Sequence, residues 1–196
     1  MKKYIAEGFG TGVLALAVSL SVLGAFSVPT PVIAGLVLLL FVYSLSHVSG
    51  THINPAVTLG LLSLGKIEIK QSLGYLLAQF AGASAAIGLV VLTIGTTPPV
   101  GAEESLTVFL AELIGMTLFT FGIASVVFGK VHEAMGGVVI GGSLLLGITL
   151  AVLLGSNGIL NPAVALALGS FNVVYVAGPI IGSMLGMWLY RLFGSQ

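Results

Sequence analysis

The tetrapeptide Asn-Pro-Ala-Val occurs twice in this chain, at residues 54–57 and again at 161–164. Asn is a favoured helix N-cap, and Pro is favoured next because its missing N–H costs nothing there. Each copy therefore reads as the start of a helix. A single copy would mean no more than a capped helix. Here each copy opens an apolar stretch, near 54–63 and 161–169, that is too short to cross a bilayer, which takes about 20 residues. Two capped helix starts that cannot span point to re-entrant segments. Non-helical backbone at membrane depth survives only where it is buried in protein or lines water. Residues 49–53 (SGTHI) and 155–160 (GSNGIL) are such backbone. Their carbonyls are placed to accept hydrogen bonds from a permeant, and the side-chain amides of Asn54 and Asn161 to donate them.

The rest of the chain supplies the membrane setting. Of its 196 residues, 57% are hydrophobic and 6% charged, against about 25% charged in soluble domains. So few charges cannot cover a water-exposed surface. Apolar runs fall near 4–26, 32–48, 71–94, 105–128, 134–154 and 173–193. Pro29, Thr30 and Pro31 separate the first two, and Thr96, Thr97, Pro98, Pro99 and Gly101 the third and fourth. Six spans would use roughly 120 residues, which leaves one transmembrane domain over 1–196 and little for a soluble one. The opening MKK and apolar run have the outline of a signal peptide. Glu7 interrupts that run and it reaches Val28, so it reads as the first span.

With six spans, Lys2, Lys3, Lys66, Lys70, Lys130 and Arg191 all fall on one side, and Glu103 and Glu104 on the other. The positive-inside rule makes the basic side, with both termini, cytoplasmic. The chain reads as an integral, multi-pass protein of the cell membrane. Its zero net charge argues against nucleic acid as a partner. Without cysteine, disulfides and thiolate metal sites are excluded. Neither Asn-Pro-Ala copy has a nucleophile–base pair or metal-ligand cluster near it, so no enzyme activity, cofactor or metal is expected.

The two halves, approximately 1–96 and 105–196, echo each other. IAEGFGT at 5–11 matches LAELIGMT at 110–117, and Tyr75 and Gly82 recur as Tyr175 and Gly182. Three spans per half is an odd number, so the second half must be inverted relative to the first. Inverted repeats with broken helices place a transport path at the repeat interface. Two half-helices pointing inward also set two positive dipole ends near the centre, which raises the cost of cations and protons there. Gly178, Gly182 and Gly186 on span six, and Ala78, Gly82 and Ala86 on span three, form small-residue faces for close helix approach. The expectation is that these two spans meet within one subunit. A subunit interface is the competing reading.

SGTHINPAVTLG, AEGFGT, AELIGMT and VYVAGPIIG closely resemble the aquaporin, or major intrinsic protein, family. The resemblance covers essentially the whole chain. It implies an all-α membrane protein with an aquaporin-like fold: six transmembrane helices plus two re-entrant half-helices in an inverted repeat. It also implies a narrow pore in each subunit, a lipid bilayer and, usually, a homotetramer. By position, Asn54, Pro55, Ala56, Asn161, Pro162 and Ala163 match the paired pore motifs, with the two Asn as pore-centre donors. The carbonyls of Gly50, Thr51, His52 and Ile53, and of Asn157, Gly158, Ile159 and Leu160, match the acceptor ladder. Glu7 and Glu112 resemble glutamates that brace the re-entrant loops, since an ionisable group inside a span needs a partner. Glu7 also reads as an interfacial residue near the cytoplasmic surface. His47 and His52 are structural hydrogen-bonders or permeant contacts, and His132 is a solvated loop residue.

The family's outer filter usually carries Arg directly after the second motif. Here Val164 stands there. The other filter positions map to Ala34, to Ile148 or Thr149, and to Gly158. This set holds no aromatic, Arg or His, so a wide, apolar, uncharged constriction is expected. Val at this place is similar to plant vacuolar members that pass water and ammonia. Ala165 replaces the Asp typical of glycerol channels, which weakens a dedicated glycerol reading. Losing Arg also removes five donors from the pore.

The expected function is a passive channel for water and small neutral solutes such as ammonia, glycerol or hydrogen peroxide. An apolar constriction can instead dewet, which would make the protein a poorly conducting or gated member with a structural or junction role. A secondary transporter also uses inverted repeats, but Glu7 and Glu112 are the only acids within spans.

Overall fold

The structure is a computed structural model that describes residues 1–24, 27–98, 100–101 and 103–194. Residues 25 and 26, at the expected end of the first span, and Pro99, in the expected break between the third and fourth spans, lie outside the described residues. The chain runs through α1 (Lys2–Leu23), α2 (Thr30–Ser49), α3 (Pro55–Ser63), α4 (Ile69–Ile94), α5 (Leu106–Val127), α6 (Gly136–Leu153), α7 (Pro162–Ala167) and α8 (Val173–Gly194). A 3₁₀ turn, Glu133–Met135, leads into α6. Helices α1, α2, α4, α5, α6 and α8 are long and apolar enough to cross a membrane. Helices α3 and α7 have nine and six residues, which is roughly 14 Å and 9 Å of rise.

The boundaries follow local chemistry. Helix α2 starts at Thr30 rather than 32 because Pro31 lies in its first turn, where no N–H is needed. Helix α7 stops at Ala167, short of 169. Gly169 takes φ +72°, and the Ser170 N–H turns back to the Ala165 carbonyl at 2.9 Å, a closure that satisfies a carbonyl of the last turn. Helix α3 closes the same way, with Gly65 at φ +68° and the Lys66 N–H on the Leu61 carbonyl at 2.9 Å.

The same pairing recurs in each half: α1 lies along α4 and α5 along α8, while α2 and α6 pack across the halves. The expected contact between spans three and six is corrected here, since α4 and α8 form no such interface. A Cβ on Gly82 of α4 would strike the Gly8 carbonyl of α1, and one on Gly182 of α8 would strike the Leu113 carbonyl of α5. The small-residue faces thus serve two contacts within one subunit. Spacing shows that a helix is approached closely but carries nothing about which helix approaches it.

The start of α1, the α3–α4 turn and the end of α5 share one end of the bundle. Lys3 Nζ donates to Gln71 Oε1 at 2.6 Å, and Lys66 Nζ stands 4.7 Å from the Phe128 ring centroid.

Candidate functional site

Two loops carry the site, one before each half-helix, and each is built around a buried glutamate. Glu7 on α1 accepts from Ser49 Oγ (2.7 Å) and the His52 N–H (2.9 Å) through Oε1. Its Oε2 accepts from the Ile53 N–H (2.6 Å) and Gln79 Nε2 (2.9 Å). Glu112 on α5 accepts from Ser156 Oγ (2.5 Å) and the Ile159 N–H (2.9 Å) through Oε1, and from the Leu160 N–H (2.7 Å) through Oε2. Both residues are fully buried, so the interfacial reading of Glu7 does not hold. These bonds supply acceptors for loop N–H groups that have none within a helix. They also hold a costly backbone shape. Thr51, Ile53 and Leu160 have φ of +53°, +38° and +52°, a conformation that costs a non-glycine residue about 1–3 kcal/mol.

That shape turns the Ile53 and Leu160 carbonyls toward the opposite loop. Asn54 Nδ2 donates to the Leu160 carbonyl at 2.9 Å, and Asn161 Nδ2 donates to the Ile53 carbonyl at 3.1 Å. Each Asn Oδ1 accepts from its own half-helix, from the Ala56 N–H at 2.8 Å and the Ala163 N–H at 3.0 Å. Pro55 and Pro162 open the two helices, and Ala56 and Ala163 are buried beside them. Both amides are therefore fixed in orientation, and each retains one further N–H.

A cavity of about 430 Å³ reaches these asparagines. Ala34, Ile148, Gly158 and Val164 all line it, and Thr149 is absent from its lining. The Thr149 hydroxyl instead donates to the Leu145 carbonyl of its own helix at 2.8 Å. Among the loop residues, His52, Ile53, Asn157, Gly158 and Ile159 line the cavity, whereas Gly50, Thr51 and Leu160 do not. Thr51 donates its hydroxyl to the Phe41 carbonyl at 3.1 Å. Leu14, Val18, Leu38, Phe119 and Leu144 complete much of the wall, and none of the described lining residues carries a formal charge at neutral pH. His52 lines the cavity and also bonds Thr58 Oγ1 through Nδ1 at 3.1 Å. His47 and His132 are exposed, and the latter caps the 3₁₀ turn by accepting from the Ala134 N–H.

Some contributors escape sequence reasoning. Ser49 and Ser156 each donate to a glutamate and accept from the N–H two residues on. Laying SGTHIN over SNGILN exposes that match. Gln79 has no such signal. Its Nε2 ties Glu7 to Thr58, and in the second half Pro179 stands at the matching place between Tyr175 and Gly182. Tyr75 donates to the Ser49 carbonyl at 2.6 Å, and Tyr175 Oη accepts from Asn157 Nδ2 at 2.8 Å.

Comparison with known proteins places these features. The family model described as "Major intrinsic protein" matches residues 1–190. Aquaporin NIP1-1 of Zea mays is 32% identical, over 98% of this chain and 74% of that protein. Aquaporin Z of Rhodopseudomonas palustris is 29% identical, over 99% of this chain and 94% of that protein. Among solved structures, the aquaglyceroporin from Plasmodium falciparum shares the fold with a TM-score of 0.72 at 24% identity, covering 100% of this chain and 95% of that one.

Proposed function

The chain belongs to the major intrinsic protein family, and on that premise we propose that it is a passive membrane channel for water and small uncharged solutes. The cavity floored by Asn54 and Asn161 is its path. The observation that carries this reading is the reciprocal bonding of the two asparagines to opposite loops. It leaves each amide one N–H for a permeant, while each Oδ1 accepts from the first turn of its own half-helix. A water that accepts from both asparagines must point its own hydrogens away from them along the pore. A continuous proton wire is broken at that point. The N-termini of α3 and α7 add positive partial charge there, which opposes cations.

Above the asparagines, Ala34, Ile148, Gly158 and Val164 form the filter in this reading, with Thr149 left out. His52, Ile53, Asn157, Gly158 and Ile159 supply the acceptor side of the path. With Val164 in place of a guanidinium, selection rests on width and on the cost of dehydrating charge. Ammonia, glycerol and hydrogen peroxide fit such a constriction better than any ion. The end bearing Lys2, Lys3, Lys66, Lys70, Lys130 and Arg191 faces the cytoplasm in this reading, and subunits assemble as homotetramers. A transporter reading has little support, because Glu7 and Glu112 are fully engaged by loop donors.

The test is light-scattering shrinkage of proteoliposomes under an impermeant osmolyte, against empty liposomes. Faster shrinkage with a low activation energy is expected, followed by measurable ammonia and glycerol flux. Shrinkage no faster than that of empty liposomes, in preparations that elute as folded protein, would refute a wetted path. It would favour a second reading that the apolar wall also supports: a constriction that dewets, in a protein with a structural role.

A further inference from the structure

One hydroxyl of α3 has its hydrogen-bond roles fixed by its neighbours. Thr58 is fully buried, and three groups meet at its Oγ1. Gln79 Nε2 lies at 2.9 Å, His52 Nδ1 at 3.1 Å and the Asn54 carbonyl at 3.1 Å. A hydroxyl has one hydrogen to give and two lone pairs to receive with. Glu7 decides which end of Gln79 points inward. That carboxylate already receives Ser49 Oγ and the His52 and Ile53 N–H groups, so the end of Gln79 that faces it at 2.9 Å is the NH₂. The same nitrogen donates to Thr58, and Gln79 Oε1 is left buried without a partner. The Asn54 carbonyl can only accept, so it takes the Thr58 hydrogen. His52 Nδ1 then faces the remaining lone pair and must itself carry a hydrogen. The opposite arrangement, with the Thr58 hydrogen on Nδ1, makes one bond fewer at a place where Thr58 and Gln79 are both closed to solvent.

The other ring nitrogen is differently placed. The imidazole is held edge-on against Tyr75, with centroids 5.0 Å apart. Tyr75 does not serve it, because its hydroxyl donates to the Ser49 carbonyl and accepts from Gln71. Among the described residues, the enclosed side-chain polar atoms that lack a partner are Gln79 Oε1 and Ser183 Oγ. His52 Nε2 has no protein partner there and is not enclosed, and His52 lines the cavity with Asn54 and Asn161. Nε2 is thus the polar atom that His52 offers to the cavity, and with the hydrogen on Nδ1 it is a bare acceptor. The internal repeat lacks this device on its other side. Opposite His52, Thr58 and Gln79 stand Ile159, Ala165 and Pro179, so three polar residues give way together to three apolar ones.

We propose, on the reading that this cavity is the path, that Thr58 is a positioning residue: it holds His52 in the Nδ1–H form, so that Nε2 accepts from a permeant beside the two asparagine donors. A water that takes its hydrogen bonds from Asn54 and Asn161 then finds a side-chain acceptor for a hydrogen of its own, on the first-loop side alone. The arrangement favours solutes that carry donors over solutes that only accept.

Magic-angle-spinning NMR of proteoliposomes, with the full chain carrying isotope-labelled histidine, reads the tautomer directly. Carbon–nitrogen correlations separate Nδ1 from Nε2, and a protonated ring nitrogen from a bare one. A His47→Gln, His132→Gln background leaves His52 as the only histidine. In mildly alkaline buffer, where imidazoles are neutral, the parent should show Nδ1–H and a bare Nε2. Thr58→Ser should keep that form. Thr58→Val has no oxygen for Nδ1, so its proton should move to Nε2, where cavity water accepts it. Thr58→Ala, the residue that the second half carries at this place, gives the same reading if the Val chain fails to fold. In osmotic shrinkage, Thr58→Val should slow water by about two- to tenfold, the worth of one neutral hydrogen bond, and Thr58→Ser should run at the parent rate. A parent with Nε2–H would overturn the proposal, and so would a Thr58→Val chain whose tautomer is unchanged. A switched tautomer with parental flux would overturn the permeant contact. A parent that conducts nothing would sink the channel reading, while the spectra still decide whether Thr58 sets the His52 tautomer.

Discussion

Replacing Glu112 by Ala removes one acceptor group from the centre of the second loop. The Ile159 and Leu160 N–H groups donate to it at 2.9 and 2.7 Å, and the loop is buried, so water does not replace it. A buried donor left unsatisfied costs about 1–3 kcal/mol, which puts the two together at about 2–6 kcal/mol. The Ser156 hydroxyl can rotate to another acceptor and is left out of that sum. For a chain of this size, the loss lowers the unfolding midpoint by at least about 4 °C. Glu112→Gln retains one acceptor oxygen but turns an NH₂ toward a loop N–H, so it should fall between parent and Ala. Function should drop with stability, because the Leu160 carbonyl fixes the Asn54 amide. The assays are thermal unfolding in detergent, followed by tryptophan fluorescence, and osmotic shrinkage of proteoliposomes. An Ala variant that melts within about 1 °C of the parent and shrinks vesicles at the parent rate would refute the bracing argument.

Asn161→Leu loses both the bond to Ile53 and the cap on α7. It should cost about 1–2 kcal/mol for the cap alone and lower water permeability, as read by the same two assays. The chain has no cysteine, so mercurial reagents should leave parental flux unchanged. Val164→Cys, at the cavity wall, should make it sensitive, and an insensitive variant would place the path elsewhere. Gly182→Val should abolish the close α5–α8 packing and with it the yield of folded protein by size-exclusion chromatography. Gly88→Ala, where a Cβ meets open space, should leave yield unaffected.

Much of the site can be read from residue identity because its chemistry is local. An Asn before Pro caps a helix wherever it sits, and an acid inside an apolar span must find donors. Asn54, Asn161, Glu7 and Glu112 were legible for those reasons. Contacts between elements were not. The spanning helices are apolar on most faces, so no polar stripe marks which side turns inward. That is why spans three and six were wrongly paired, and why Ile148 could not be separated from Thr149. Gln79 escaped because a polar residue in a span has many candidate partners and no spacing rule selects Glu7. The acceptor ladder could be assigned by position. That Gly50, Thr51 and Leu160 stand off the cavity depends on how the folded loops face each other, which no residue type there announces.

The exchange of bonds between Asn54 and Leu160, and between Asn161 and Ile53, also bears on how the molecule is made. When residues 50–56 leave the ribosome, the residues that will hold them lie more than a hundred positions ahead and have not been synthesised. The first half must therefore wait in the membrane with its loop unlatched, held only by Glu7 and its neighbours. Closure comes when the second loop arrives, and it closes both at once. Biogenesis of this chain thus has a late, all-or-none step, and a chain halted after α4 carries the first gate post of a pore without the second.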